Sequence, residues 1–335
     1  MNAAAAAASW GSIWRFIVGA CASVAAFSGC GQAPATDAAR PTVAAVKAGG
    51  HDALASKALL YLAAMPIAGA VYVYTYPEGH LVGKLTGFYE PFGECIDSAG
   101  DVFIVALAGA SSTSSTIYEF AHGGSTPIAT LSDPGLATGC AVDSVTGDLA
   151  ASGQSVAIFH HARGTPTTYS SPSFNFYYCG YDTRGNLYLS ASNGKNGGAQ
   201  LVRLPAGGNQ FEQISLDATL KTGNLLPSVQ WDGRDLVVSS DAYRDPITIF
   251  RLRISGHRAT IVGSALLDSM KNYYHGQLWI QDKTIIGAGG SKRGNEDAFF
   301  WSYPAGGAPE RTIKRIGGAR DPQVSGVAVS LAESR

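Results

Sequence analysis

Residues 71–85 read VYVYTYPEGHLVGKL, and the same arrangement returns five more times: IYEFAHGGSTPIATL (117–131), VAIFHHARGTPTTY (156–169), LVRLPAGGNQFEQISL (201–216), IFRLRISGHRATIV (249–262) and FFWSYPAGGAPERTI (299–313). Each copy is an apolar, β-branched or aromatic run, a Gly-centred turn and a second alternating run, which is the signature of an antiparallel hairpin. The turn glycines are Gly79, Gly123, Gly164, Gly207, Gly256 and Gly306, separated by 44, 41, 43, 49 and 50 residues. A second recurring strand pair lies ahead of five of these hairpins: GECIDSAGDVFIVAL (93–107), GCAVDSVTGDLAAS (139–152), YCGYDTRGNLYLSA (178–191), SVQWDGRDLVVSS (228–240) and GQLWIQDKTIIGAG (276–289). Asp97, Asp143, Asp182 and Asp232 open its turn, with Gly100, Gly147, Gly185 and Gly233 inside it. Asp accepts from nearby backbone N–H groups and Gly takes the positive φ that a tight hairpin requires.

Four strands per repeat at this period describe one blade of a β-propeller. Complete units span 88–133, 134–174, 175–220, 221–268 and 269–318. Two fragments remain, three strands over 58–87 and one over 321–331. Joined, they make a sixth unit. The expected fold is therefore all-β: a six-bladed β-propeller over 58–332, closed by N- and C-terminal strands that share one blade. Closure removes exposed sheet edges, which otherwise invite aggregation.

Composition agrees. Charged residues are 15% of the 335-residue chain and 41 residues are glycine, against about 25% charged and ~7% Gly in an average domain. The net charge of −1 and the lack of a long basic run argue against nucleic acid as a partner, because phosphate binding needs clustered Lys and Arg.

The N-terminus reads as a targeting segment. Phe16 to Phe27 is a twelve-residue apolar stretch behind Arg15. It is shorter than the ~20 residues that span a bilayer and matches a signal-peptide core. It runs into Phe27-Ser28-Gly29-Cys30, which resembles the lipobox of bacterial lipoproteins, with Phe27 where Leu is commonest. The resemblance implies removal of residues 1–29, a diacylglycerol thioether on Cys30, and an exported protein held at the cell envelope, with Gly31 after the cysteine favouring the outer membrane. An ordinary secretory cleavage site and an uncleaved anchor are the alternatives. Residues 30–57, rich in Ala, Pro, Gly and Thr, read as a flexible tether.

The strand pair carrying D-x-x-G, as in IDSAGDVFIVA and YDTRGNLYLSA, resembles that of six-bladed propellers in the NHL and SMP-30/gluconolactonase-like group. SYPAGGAP and LPAGGNQ are similar to hairpins of bacterial envelope propellers. The resemblance covers about 58–331 and speaks to fold, since propellers host many unrelated functions.

Propeller ligands sit at the central channel, so the segments leading into each first strand supply the candidate site: Tyr89, Glu90, Glu94, Tyr177, Asn224, Asn272, Tyr274, His275 and Asp321. Aromatic faces there can stack on a sugar or another flat apolar surface, although alternate members of any strand point into packing. SMP-30-like lactonases hold one divalent metal on a Glu, Asn and Asp set. The resemblance implies that Glu90 or Glu94 with Asn224, Asn272 and Asp321 would hold a calcium-like hard cation here. Their registers differ between repeats, and the D-x-x-G turns lack the converging oxygens of a calcium loop, so no metal site is assigned.

Cys140 and Cys179 share a repeat position, and Cys95 is one step away. Export permits a disulfide. Inner strands of adjacent blades set more than ~7 Å apart would forbid it, and buried free thiols are the expectation; three cysteines leave at least one free in either case. His160 and His161 are neighbours on an expected strand, where they cannot chelate together. No nucleophile elbow, paired-cysteine, zincin or phosphate-loop motif occurs. The leading expectation is a monomeric, lipid-anchored envelope propeller that binds or scaffolds a protein, glycan or small molecule. The rival is a metal-dependent lactonase-type hydrolase working in the channel.

Overall fold

The computed structural model describes residues 42–43, 54–65, 69–193, 198–216, 220, 228–240, 247–268, 276–290, 296–318 and 323–332. They belong to one compact unit, Pro41–Arg335. The expected leader, Cys30 and most of the expected tether lie outside them.

Among the described residues the named elements are strands and two short 3₁₀ turns, His160–Ala162 and Ile316–Gly318. β1 (Thr42–Val43), β2 (Leu59–Met65), β3 (Ala70–Thr75) and β4 (Leu81–Thr86) come first. Four-stranded sheets follow: β5 (Tyr89–Ile96) to β6 (Val102–Leu107), β7 (Ser115–Phe120) and β8 (Pro127–Asp133); then β9 (Ala137–Val142), β10 (Leu149–Gly153), β11 (Val156–Phe159) and β12 (Thr167–Tyr169); then β13 (Asn175–Tyr181), β14 (Leu187–Ser192), β15 (Ala199–Leu204) and β16 (Glu212–Ile214). β17 (Val229–Trp231), β18 (Leu236–Ser239), β19 (Ile247–Ser255) and β20 (Arg258–Leu267) form an antiparallel run, as do β21 (Trp279–Gln281), β22 (Thr284–Gly290), β23 (Glu296–Ser302) and β24 (Gly306–Ile313). These two runs join into an eight-stranded sheet through one parallel pair, Leu267↔Gly307. The last strand, β25 (Gln323–Ser330), returns to β2, giving a five-stranded sheet ordered β1-β4-β3-β2-β25.

That return is the expected sharing of one sheet by both ends of the chain. β25 pairs antiparallel with β2 from Leu59↔Ser330 to Met65↔Gln323. β1 goes beyond expectation: Thr42 and Val43, inside the presumed tether, pair with Thr86 and Leu85 of β4 and cover the outer edge of the same sheet.

Side-chain alternation explains how the sheets adhere. Successive residues of a strand point to opposite faces. Val102 and Ile104 therefore pack with Tyr61 and Ala63 of the closing sheet, while Phe103 and Val105 pack with Leu149 and Ala151. Ala150 meets Leu187 and Leu189, Tyr188 meets Leu236 and Val238, and Val237 meets Ile285 and Trp301. Ile286 and Phe300 then meet Leu60 and Tyr72, back in the closing sheet. The apolar clusters thus run in a cycle. The β17–β20 and β21–β24 runs have a cluster between them like any other pair. Strands buried on both faces read as continuous apolar runs, as in β2 and β3, whereas the outer strands β8 and β20 alternate between buried and exposed.

The innermost strands press together at glycines. A Cβ on Gly139 of β9 would stand 2.9 Å from the Tyr177 carbonyl of β13, and one on Gly326 of β25 would stand 2.3 Å from the Phe92 carbonyl of β5. Hydroxyls bond across the same seams. Ser152 Oγ donates to the Tyr177 carbonyl at 2.7 Å, Ser228 Oγ to Leu278 at 3.0 Å, and Ser325 Oγ to Pro91 at 2.8 Å.

This proximity corrects the expectation for the cysteines. Cys95 and Cys140 form a disulfide with Cα atoms 5.7 Å apart, and Cys179 is the free, buried thiol among the described residues. The reason lies in register. Cys95 stands two residues before Asp97, and Cys140 stands three before Asp143. An odd offset places the two on opposite sheet faces, and stacked sheets meet through opposite faces. His160 and His161 also depart from expectation, lying in a 3₁₀ turn instead of a strand.

The same offset relates Ala141 to Cys179, which share the next cluster. Ala141→Cys is expected to close a second bridge, leaving no titratable thiol in the denatured, unreduced domain where the parent shows one. Reducing Cys95–Cys140, which spans 45 residues, should lower stability by up to about 4 kcal/mol on chain-entropy grounds, read from denaturant midpoints with and without reductant.

Candidate functional site

Inner strands end in the Asp turns, and at that end they surround a cavity of about 220 Å³. Ile96, Val142, Tyr181, Trp231 and Trp279 line it, each half-buried, together with Gln230 and Gln277. All three cysteines of the β domain also border it.

The two glutamines tie inner strands together, Gln230 to the adjacent β21 and Gln277 across to β5. Gln230 Nε2 donates to the Ile280 carbonyl at 2.9 Å, and its Oε1 accepts from Ile280 N–H at 2.8 Å. Gln277 does the same for Glu94, donating to its carbonyl at 2.8 Å and accepting from its N–H at 3.0 Å. Each primary amide thus mimics a strand's peptide group and satisfies inner-strand backbone that would otherwise be orphaned. Both Gln side chains are already engaged, so the side chains left to recognise a ligand are the aromatic rings of Tyr181, Trp231 and Trp279 beside the hydroxyls of Ser144 and Thr183.

The turn aspartates behave as the sequence implied. Asp97 Oδ1 accepts from Ala99 and Asp101 N–H at 2.9 and 2.8 Å, and Asp182 Oδ1 accepts from Arg184 and Asn186 N–H at 2.9 and 3.0 Å. Among the described residues, carboxylates converge at Asp97, Asp101 and Glu119, within 4.8 Å of one another. Burial, then the Asp101 charge, push Glu119 above the usual carboxyl range. Asp97 is already engaged by its turn, and the trio is a feature of the β5–β6 turn and β7.

Four of the nine expected channel residues are described. Tyr89 is 40% exposed. Glu90 has φ of 43°, at a stretch where the β5–β6 register shifts twice. Tyr177 places its hydroxyl 3.2 Å from Ser192 Oγ. Glu94 is fully buried, against Gly326 and near Ala63, outside the cavity lining. Neither of its oxygens has a well-formed hydrogen bond. Burial drives its pKa well above the usual value, and the Ala63 amide offsets this only in part. A neutral, dehydrated carboxyl is a poor ligand for a hard cation. Asn224, Asn272, Tyr274, His275 and Asp321, with Cys30, lie outside the described residues.

Two features escaped the sequence reading. The aromatic wall was legible in principle, since Tyr181 and Trp231 immediately precede a turn Asp. Glu296 gave no signal. It opens β23, is buried, and accepts from Val324 N–H beside the start of β25. Burial raises its pKa to about 8, opposed by that hydrogen bond. The Cys179 thiol is likewise pushed up to about 12 by burial, which keeps it protonated and unreactive.

No family model matches the sequence, and no curated protein is found to be similar to it. Solved structures do match in fold. A nidogen/laminin complex structure aligns at TM-score 0.60 and 13% identity, over 83% of this chain and 100% of that chain. The Swd1 β-propeller domain of Myceliophteria thermophila aligns at 0.52 and 11%, over 85% and 91%. A 6-phosphogluconolactonase-like protein of Bacteroides fragilis aligns at 0.50 and 12%, over 84% and 99%. At these identities the likeness speaks for fold alone: the chain has a β-propeller fold.

Glu94 and Glu296 keep their protons in the folded state at pH values where the unfolded chain has lost them. Their contribution to stability is therefore fullest below about pH 4.5 and falls as pH rises above it, for Glu296 until about pH 8. Glu296→Gln retains an acceptor for Val324 N–H and should flatten part of this slope, raising the denaturant midpoint more at pH 8 than at pH 5. Glu94→Gln should do the same without losing any bound metal.

Proposed function

We propose that this chain is a six-bladed propeller of the NHL and SMP-30-like type, lipid-anchored at Cys30 in the cell envelope, acting as a binding or scaffolding module. The cyclic order of apolar clusters supports the blade count, because β17–β20 and β21–β24 are separated by their own cluster and joined by one bridge. The observation that carries the binding reading is the division of labour around the channel. Gln230, Gln277 and the turn aspartates are engaged in structural hydrogen bonds, while Tyr181, Trp231 and Trp279 are left partly open. Hydrolysis would require ionised or metal-bound groups aimed at a substrate, and Glu94, one of the two glutamates offered for the lactonase alternative, is sealed in an apolar seam. Acylation at Cys30 would supply the several chains that stable membrane retention needs.

Cys30→Ser is expected to move the protein from the membrane to the soluble fraction, and the intact mass of the parent should show acylation on a chain beginning at Cys30. A mature chain starting at unmodified Gly31, or one retaining Met1, contradicts the anchor. Purified protein should carry no stoichiometric calcium, zinc or manganese and open no lactone after these are added. A metal lost in Glu94→Gln would restore the enzyme reading.

A further inference from the structure

We propose that the cavity at the Asp-turn end of the channel is a binding site for one neutral sugar ring. The inference deepens the binding-module reading and rests on it. Five consecutive inner strands each deliver one bulky side chain there. Ile96 and Val142 come from β5 and β9, and Tyr181, Trp231 and Trp279 from β13, β17 and β21. An indole left partly open in a concave wall is apolar area that a ligand's C–H face can cover, and aromatic side chains favour partners with an apolar face and a polar edge. The polar edge is present: Ser144 and Thr183 border the cavity and are exposed.

Charge restricts the ligand further. No Lys or Arg borders the cavity among the described residues, and its one carboxylate, Asp182, is buried. Asp182 accepts from the Arg184 and Asn186 N–H groups and from Asn186 Nδ2, with the Arg184 guanidinium 3.5 Å away. Nothing there would compensate an anionic ligand, and no free carboxylate awaits a cation. Size sets the last limit. About 220 Å³ is below the ~300 Å³ at which drug-sized pockets begin, which fits a single ring at a chain end and excludes a long oligomer lying flat. Trp301, by contrast, is fully buried with its indole N–H donating to the Asp268 carbonyl at 3.0 Å, so it should not report binding.

The test uses the detergent-solubilised, full mature chain, titrated with methyl glucoside, methyl mannoside and N-acetylglucosamine and followed by tryptophan fluorescence and calorimetry. The expected result is a saturable change for at least one sugar. Trp279→Ala or Trp231→Ala should weaken binding roughly tenfold or more, and Trp279→Phe, which keeps an aromatic face, should stay within a few-fold. Circular dichroism identifies a variant that has failed to fold, and Trp279→Phe then carries the comparison. The proposal is overturned if no sugar gives a saturable response, if both Ala variants bind as the parent does, or if benzoate displaces the sugar and binds more tightly. Membrane retention is read separately. An anchored protein blind to sugars sinks this inference alone, whereas a soluble, sugar-binding one sinks only the anchor.

Discussion

The structure depends on one pairing, that of β25 with β2, which places residues at the two ends of the domain in one hydrogen-bonded ladder. Each of the other sheets is assembled from contiguous chain, and each has an apolar face toward the sheet before it and another toward the sheet after. Such a stack has no natural end. If the first and last sheets stayed open, two faces of Leu, Val and Tyr would meet water, at ~25 cal/mol per Å² of apolar surface. The closing sheet has both of its faces covered, Tyr61 and Ala63 toward β5–β8 and Leu60 and Tyr72 toward β21–β24.

Closure also explains why the chain tolerates so few charges. Middle strands are buried on both faces, leaving solvent-facing positions to outer strands and turns. At the centre, strands from neighbouring sheets approach too closely for side chains, so Gly139 and Gly326 occupy the seams. The backbone groups there are met by Ser152, Ser228, Ser325, Gln230 and Gln277. These polar residues hold the ring and are not free for catalysis. Buried carboxyls are the exception. The Glu94 oxygens lack a well-formed hydrogen bond and Glu296 accepts one from Val324 N–H, and both lie beside the closing strand, so alkali acts on the seam that closes the ring.

Much of the fold was legible because repeats display their period directly. Units drawn from glycine spacing enclose the observed strands, and the orphan strand around Val327 was rightly paired with the chain's start. Contacts between repeats were harder to read. The Cys95–Cys140 bridge was missed because equal repeat positions were compared, whereas facing sheets meet at odd offsets. The two-residue strand at Thr42 was hidden in a segment with no apolar periodicity. For the site, residue types at the head of each inner strand drew attention to Glu94, which packing sends into an apolar seam. The aromatic wall at the opposite strand ends, Tyr181 and Trp231, drew no attention, because each stands inside an apolar run just before a turn Asp. Sequence marks what a residue can do, and the neighbouring sheet decides which way it faces.

The central claim is that closure by β25 makes the ring one cooperative unit. Native-state hydrogen exchange across residues 59–65 and 323–330 tests it most directly. The account predicts that amides of both segments exchange only through global unfolding, with equal protection and the same dependence on denaturant. Amides of 323–330 that exchange rapidly, or through a separate low-energy opening while 59–65 stays protected, would contradict it.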